Sequence, residues 1–362
     1  MNAKQFPLKG LPLIAFFAAL VVTVFAKAQS IEVQLPYHLQ VFAHSVAGVY
    51  TQPDSIAVLN GHIFIGYGNG VAKDGTDGKS STIVEYRMNG SVVRKFSVPG
   101  HNDGLKVDPR TKLLWALQNE DGNPSLVTIN AKTLEQKQYS FPPTLNGGGY
   151  DDIVFRHGKI YMSASNPAGN PNNAPAIVRV ELSGSSVTVT PVFAGNATAT
   201  DILTESPVTL NLQDPDSMIT DPAGDIVLDS QDDAELVIVR HPDTASQSAL
   251  RVPLTSPFGS TKVDDTIFAT ASDGFILVSD LSADTVYAIH KHSFVPGSAY
   301  SAGIANGVVA LVGRLDLEFG QLTPIVTGLK NPRGMTFVAT PDENHDRDTS
   351  GDEAEDACES LN

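Results

Sequence analysis

The 362-residue chain predicts an all-β fold, a six-bladed β-propeller, on three observations. A short apolar run opened by a carboxylate recurs along it: PDSIAV at Asp54, NDGLKV at Asp103, YDDIVF at Asp152, PDSMIT at Asp216 and DDTIFA at Asp265. The spacings are 49, 49, 64 and 49 residues, a period at which each unit holds several short strands, as in a propeller blade. No apolar pattern of helical period and useful length follows residue 28.

The chain begins with the basic segment MNAKQFPLKG, the apolar run LPLIAFFAALVVTVFA and a small-residue AKA, the pattern of a secretory signal peptide over residues 1–28. A retained membrane anchor is the alternative, although the apolar run falls short of the ~20 residues that a span requires. The expected location is therefore secreted or periplasmic, with no membrane span after signal removal. Residues 29–50 form one or two strands that belong to no complete unit, and 331–338 (NPRGMTFV) are their C-terminal counterpart. Together these N- and C-terminal strands are expected to close the ring of a propeller domain over 29–340.

The first unit reads DSIAVL, HIFIGYG, STIVEYRM and GSVVRKFSV, with Asn60-Gly61 and Asn89-Gly90 as type I′ hairpin turns. The second repeats it with GLKVD, LLWALQ, SLVTIN and LEQKQYSF, and the third with DIVFR, KIYMSAS, AIVRVEL and SVTVTPVF. Residues 196–213 account for the 64-residue interval and read as a loop insertion on one face, where ligand contacts often lie. Units four (SMITD, DIVLDS, ELVIVR, ALRVPL) and five (TIFAT, FILVSD, TVYAIHK) follow. The opening Pro332-Arg333-Gly334 then comes 68 residues after Asp265, so either unit five is long and the ring has six blades, or a compressed unit near Tyr300 makes seven; six is preferred. Residues 341–362 hold nine acids and one Arg and read as a disordered acidic tail.

Loss of residues 1–28 would remove Lys4, Lys9 and Lys27 and no acid, taking the formal charge from -16 to -19. Such a chain repels nucleic acid and anionic lipid, and suits cations or neutral ligands. Cys358, the only cysteine, lies in the tail, which excludes an internal disulfide and a thiolate metal site. Stability must come from packing.

The openings of the type P-x-G/S-I-x-V followed by G-x-I-x-V resemble those of the SMP-30/gluconolactonase and NHL-like group of six-bladed propellers. That resemblance implies acidic and amide side chains at the inner-strand openings, meeting on the central axis to hold a divalent metal, commonly calcium. Asp103-Gly104 looks like the D-G or N-G opening of the pattern, and Asp152, Asp216 and Asp265 stand for the later blades. Arg333 occupies the last opening in place of an acid, and blade one has no Glu-Gly-Pro opening.

Carboxylates gathered on one axis repel unless a cation or an Arg neutralises them, and oxygen donors suit Ca²⁺ best, Mg²⁺ less well, and zinc poorly. The expected metal ligands are Asp103, Asp152, Asp216 and Asp265, with Asn119 and Asn166, and the similarly placed Ser230 and Asp280, as neutral oxygens. The other reading is that each Asp caps its own strand or hydrogen-bonds the neighbouring blade's backbone, and that the second-layer residues simply turn hairpins. His101, before the Asn102-Asp103 opening, is the candidate catalytic base, with His44 a distant second. The glycine-rich stretch 66–79 opens no helix and lacks G-K-[ST], so it is a hairpin loop or a surface calcium site rather than a phosphate loop. No G-x-S-x-G elbow is present. The expected function is a monomeric binding or scaffold propeller taking a small-molecule or protein ligand at an acidic axial funnel; the alternative is a metal-dependent lactonase or esterase.

Overall fold

The computed structural model describes residues 30–340, so the expected signal peptide and acidic tail lie outside the described residues. Six sheets with a four-stranded antiparallel core surround one axis. Blade I consists of Pro53–Leu59, His62–Tyr67, Ser80–Arg87 and Val92–Pro99. Blade II consists of Asn102–Val107, Leu114–Gln118, Ser125–Ile129 and Gln136–Ser140. Blade III consists of Ile153–Arg156, Lys159–Ser163, Pro175–Ser183 and Ser186–Ala194. Blade IV consists of Pro215–Thr220, Ile226–Ser230, Glu235–Arg240 and Ser248–Pro253. In each the first strand is innermost, and the inner strands of all six blades touch their neighbours in a closed cycle. Among the described residues no helix is long and apolar enough to cross a membrane.

Blades V and VI are interleaved. Gly259–Phe268 is the inner strand of blade V, yet the next two strands, Gly274–Asp280 and Thr285–His290, lie in blade VI. The chain then returns to finish blade V with Ala299–Ala305, Val309–Asp316 and Gln321–Thr327. It ends in Pro332–Ala339, the inner strand of blade VI. The first described strand, Glu32–Val33, pairs with Gln321–Thr327 at the edge of blade V, and the next, His38–His44, pairs with Thr285–His290 as the outer strand of blade VI. His38–His44 and Pro332–Ala339 thus share blade VI on opposite edges, with the hairpin Gly274–His290 between them. This is the physical reason for the 68-residue interval: FILVSD and TVYAIHK follow TIFAT in sequence but belong to the next blade, so they are not the middle of unit five.

The insertion also differs from its expected place. Thr198–Asp201 and Pro207–Thr209 form a hairpin, and Thr198–Asp201 pairs in parallel with the outer strand of blade IV. Most of the extra length widens that blade away from the axis, and only its last residue, Gln213, reaches the central cavity, beside Asp214. Of the two Asn-Gly turns, Asn60-Gly61 has φ of 53° and 73°, as type I′ requires. At Asn89-Gly90 only the glycine has positive φ; the loop is three residues long, and Asn89 Oδ1 accepts from the Ser91 amide at 3.1 Å.

The alternation of side chains along each strand feeds two interfaces at once. In His62–Tyr67, Ile63 and Ile65 pack toward blade VI while Phe64 packs toward blade II. In Leu114–Gln118, Leu114 and Ala116 face blade I, and Trp115 and Leu117 face blade III. Six apolar clusters result, one in each gap between neighbouring blades. Each fully buried Ile, Leu or Phe contributes about 1.5–3 kcal/mol, so packing of this kind can hold the ring without a disulfide.

The inner strands approach most closely where small residues stand. At Gly334 an added Cβ would lie 2.5 Å from the Asp54 carbonyl oxygen across the gap between blades VI and I. Gly334→Val is expected to destabilise the protein by ~1–3 kcal/mol through overpacking, read as a lower melting temperature by circular dichroism. An unchanged melting temperature would mean that the ring opens freely there.

Candidate functional site

Each inner strand has, within it or just ahead of it, a residue two or three positions before a buried apolar side chain that packs next to the axis. Counting back from Ile56, Leu105, Ile153, Met218, Ile267 and Met335, these residues are Asp54, Asp103, Asp151, Asp216, Asp264 and Arg333. All six line one funnel of about 440 Å³ at the end of the central channel. Loops between the second and third strands, with the segments that lead into the inner strands, complete its wall, so that nine acids face two permanent cations, Lys73 and Arg333. That imbalance governs the electrostatics of the site.

Arg333 forms an ion pair with Asp264, and the field of Asp264, Asp54 and Asp216 holds its guanidinium firmly protonated. Gln231 Nε2 donates to the same Asp264 Oδ1 at 2.7 Å. Burial, with Asp264 next in importance, pushes the Asp54 carboxyl up to about 8. Burial and Asp232 push Asp214 up to about 7. Asp151 and Asp216 both lie well above the usual carboxylate range, first through burial and then through neighbouring carboxylates, Asp216 for Asp151 and Asp264 for Asp216. Protons therefore do part of the neutralising that two cations cannot.

The second wall comes from the loop between the second and third strands of blade I, where the glycine-rich stretch lies. It reaches over blade II, and Lys73 there pairs with Glu120. Its Asp74 and Asp77 are exposed and accept hydrogen bonds from the loop's own Thr76, Ala72 and Lys79. The Val71 carbonyl accepts from His101 Nδ1 at 3.1 Å. With Nδ1 carrying the proton, Nε2 is left as an acceptor. Burial holds the His101 pKa below its usual value, which favours this neutral ring. The ring fits because residue 68 is glycine: a Cβ there would lie 2.9 Å from His101 Cε1. One candidate ligand atom each from His101, Asp103 and Glu120 lies within 4.8 Å of the others.

Of the residues singled out from sequence, Asp103, Asp216, His101 and Asn166 line the funnel. Asp152 and Asp265 stand one position further along their strands than the funnel residues Asp151 and Asp264, and they point into the seams between blades. Asp152 Oδ2 accepts from the Met218 amide of blade IV at 2.9 Å and pairs with Lys106 Nζ at 2.9 Å. Asp265 Oδ2 accepts from the Met335 amide of blade VI at 2.7 Å. Their equivalence to Asp103 is thus corrected by one residue, and both acids are tied to the next blade's backbone.

Asn119 has a φ of 66° and turns the chain under the funnel wall, its Oδ1 accepting from the His101 amide at 2.9 Å. Ser230 donates to Asp233 at 2.6 Å, and Asp280 accepts from the Ala283, Lys330 and Asn331 amides, so both order loops. His44 lies on the outer strand of blade VI, bonded to Thr285, remote from the funnel. Sequence reasoning missed Asp151, Asp264, Glu120 and Lys73. Asp151 could have been found by aligning the units on their first apolar residue, two positions on; Asp264 could not, because Thr266 puts an extra residue between it and Ile267, and Glu120 and Lys73 arrive through loop packing.

No family model matches the chain, and no curated protein matches it. Among solved structures it is similar to a streptogramin B lyase at 12% identity, over 88% of this chain and 76% of that one, with a TM-score of 0.46. It is similar to a protein of unknown function from Bacteroides caccae at 10% identity, over 79% and 86% of the two chains, with a TM-score of 0.48. A structure provisionally named a gluconolactonase is similar at 10% identity, over 82% and 83%, with a TM-score of 0.44. At such identities a likeness concerns the fold alone, and here the sheet order establishes it independently.

The raised Asp54 pKa has a consequence for stability. Between its ordinary 3.8 and about 8 the folded state keeps a proton that the unfolded state has released. Rising pH therefore favours unfolding across that window. In chelator, urea denaturation should show stability falling from pH 5 to pH 8, and Asp54→Asn should flatten part of that slope. A slope of opposite sign would mean that the funnel carboxylates are already compensated.

Proposed function

We propose that the acidic funnel binds a divalent cation, calcium ahead of magnesium, and that the protein uses it to hold a small polar ligand. The observation that carries this reading is the charge imbalance: nine acids and two permanent cations line one cavity, and burial together with neighbouring carboxylates raises the pKa of several of these acids. A cation would take the place of the protons that such acids retain. The donor set fits a hard ion, since the funnel offers many carboxylate oxygens, one imidazole and no thiolate among its lining residues. Asp103 and Glu120 would hold the ion, beside His101, and Glu120 would exchange its contact with Lys73 for it. The kinship with gluconolactonase-like propellers implied by the strand openings belongs to this reading, as does export to the periplasm or the exterior, which rests on residues 1–28, and a monomeric state.

A second reading, hydrolysis of a lactone or related ester, is favoured by one specific feature. His101 is buried and neutral, its Nδ1 is tied to Val71, and Nε2 remains free to accept a proton from water beside Asp103. When bound, the cation would supply positive charge to a carbonyl oxygen; His101 would supply the base.

Metal analysis of native protein is expected to find a divalent ion. Chelation should lower the melting temperature, and added calcium should restore it. Glu120→Gln should weaken calcium binding by roughly 10–100-fold, the range seen when a group supporting a metal site is lost. A metal-free native protein whose melting temperature ignores both chelator and calcium would overturn the proposal.

Catalysis has a separate readout. On a panel of lactones and aryl esters, a hydrolase should lose about 10²–10⁴-fold of its turnover in His101→Gln while keeping its calcium. Calcium binding without turnover of any ester would leave the binding protein as the answer.

A further inference from the structure

The same six inner strands form a second cavity further along the channel, and it shares no lining residue with the acidic funnel. Each blade contributes apolar side chains to it, represented by Ile56, Leu105, Phe155, Ile219, Phe268 and Phe337. Its volume of about 370 Å³ lies within the range of small-ligand cavities, which are apolar with a few convergent polar groups. Lys106 and Asp265 are its only charged lining residues.

The charges at this floor do not balance. Lys106 Nζ pairs with Asp152 Oδ2 at 2.9 Å, and Asp152 accepts from the Met218 and Ile153 amides as well. Asp265, 6% exposed, has one oxygen on the Met335 amide and no ion pair among the described residues. Asp229, buried beside them with Oδ1 accepting from Thr266 Oγ1 at 3.0 Å, has no ion pair either among the described residues, so three carboxylates share one ammonium beneath apolar walls. An anionic head group would meet the unmatched carboxylates, whereas a cationic one would offset them.

We propose that this cavity is a second ligand site, which takes a small organic ammonium: a primary amine on an aromatic or branched apolar body, its charge on Asp265 and its body against the inner-strand side chains. The site is independent of the funnel because the two have no residue in common. It owes its charge to a local device, a pair of adjacent acids within the inner strand of blade V, Asp264 facing the funnel and Asp265 the cavity behind it.

The test is calorimetric titration of the folded protein with three probes of one shape, benzylamine, benzyl alcohol and benzoate, each with and without chelator. Benzylamine should bind, and benzyl alcohol should bind roughly 10-fold or more weakly, the loss expected with one charge-assisted hydrogen bond. Benzoate should not bind, and chelator should change nothing. Asp265→Asn, which keeps an acceptor for Met335, should erase the preference for the amine. Thr336→Phe, on the cavity lining, should block benzylamine and benzyl alcohol without touching the charge. Equal affinity for the three probes, absence of benzylamine binding at millimolar concentration, or benzylamine binding that survives both substitutions would overturn the proposal. Binding abolished by chelator would move the amine to the funnel and overturn it as well.

Discussion

Closure of the ring at its sixth sheet is the constraint on which the rest of this molecule depends. Each inner strand is buried on both faces, so a blade is stable only with a neighbour on either side, and a missing blade would expose two apolar clusters at once. Blade VI meets this requirement with strands from three distant parts of the chain: His38–His44, the hairpin spanning Gly274–Asp280 and Thr285–His290, and Pro332–Ala339. Blade V cannot form without the chain passing through blade VI and back. The two sheets are therefore coupled by connectivity as well as by packing, and in a chain with no disulfide in the ring this interleaving takes the role of a covalent clasp.

Ring closure also sets the chemistry of the axis. Six strands converge at their starts, and whatever residues stand there are forced together. The first position of each opening faces the funnel, and the second faces the seam to the next blade. At the second position Ser55 donates to the Asp103 carbonyl, and Asp152 and Asp265 accept amides from blades IV and VI. Where two acids are adjacent, as in Asp151-Asp152 and Asp264-Asp265, one serves the funnel and the other the ring. Burial first, and then crowding at the first position, raises Asp54, Asp151 and Asp216, and within the six only Arg333 opposes the crowding. The funnel is thus a consequence of closing the sheets over a particular set of starting residues, completed by loops that bring Lys73 and Glu120 to its wall.

The legible parts of this protein are those written in local pattern. The period of the openings, the alternation of apolar residues and the short strands lead to a propeller of six blades. Asp103 and Asp216 fall in the funnel because their strands begin with a single acid before the apolar run. At Asp151-Asp152 and Asp264-Asp265 the sequence offers two candidates, and a one-residue change of register exchanges funnel for seam. Glu120 and Lys73 carry no motif; Glu120 follows the turn at Asn119, and Lys73 sits in a loop whose course depends on blade II.

What the sequence by itself determined is the architecture's unit: strands that alternate, turns such as Asn60-Gly61, and a carboxylate at the head of successive repeats, all consequences of interactions among near neighbours. What only the tertiary structure decided is the assignment of strands to sheets at blades V and VI, the outward course of residues 196–213, and the identity of the acids that meet on the axis. These depend on pairing between segments far apart in the chain, where a hairpin has the same local appearance whichever sheet receives it.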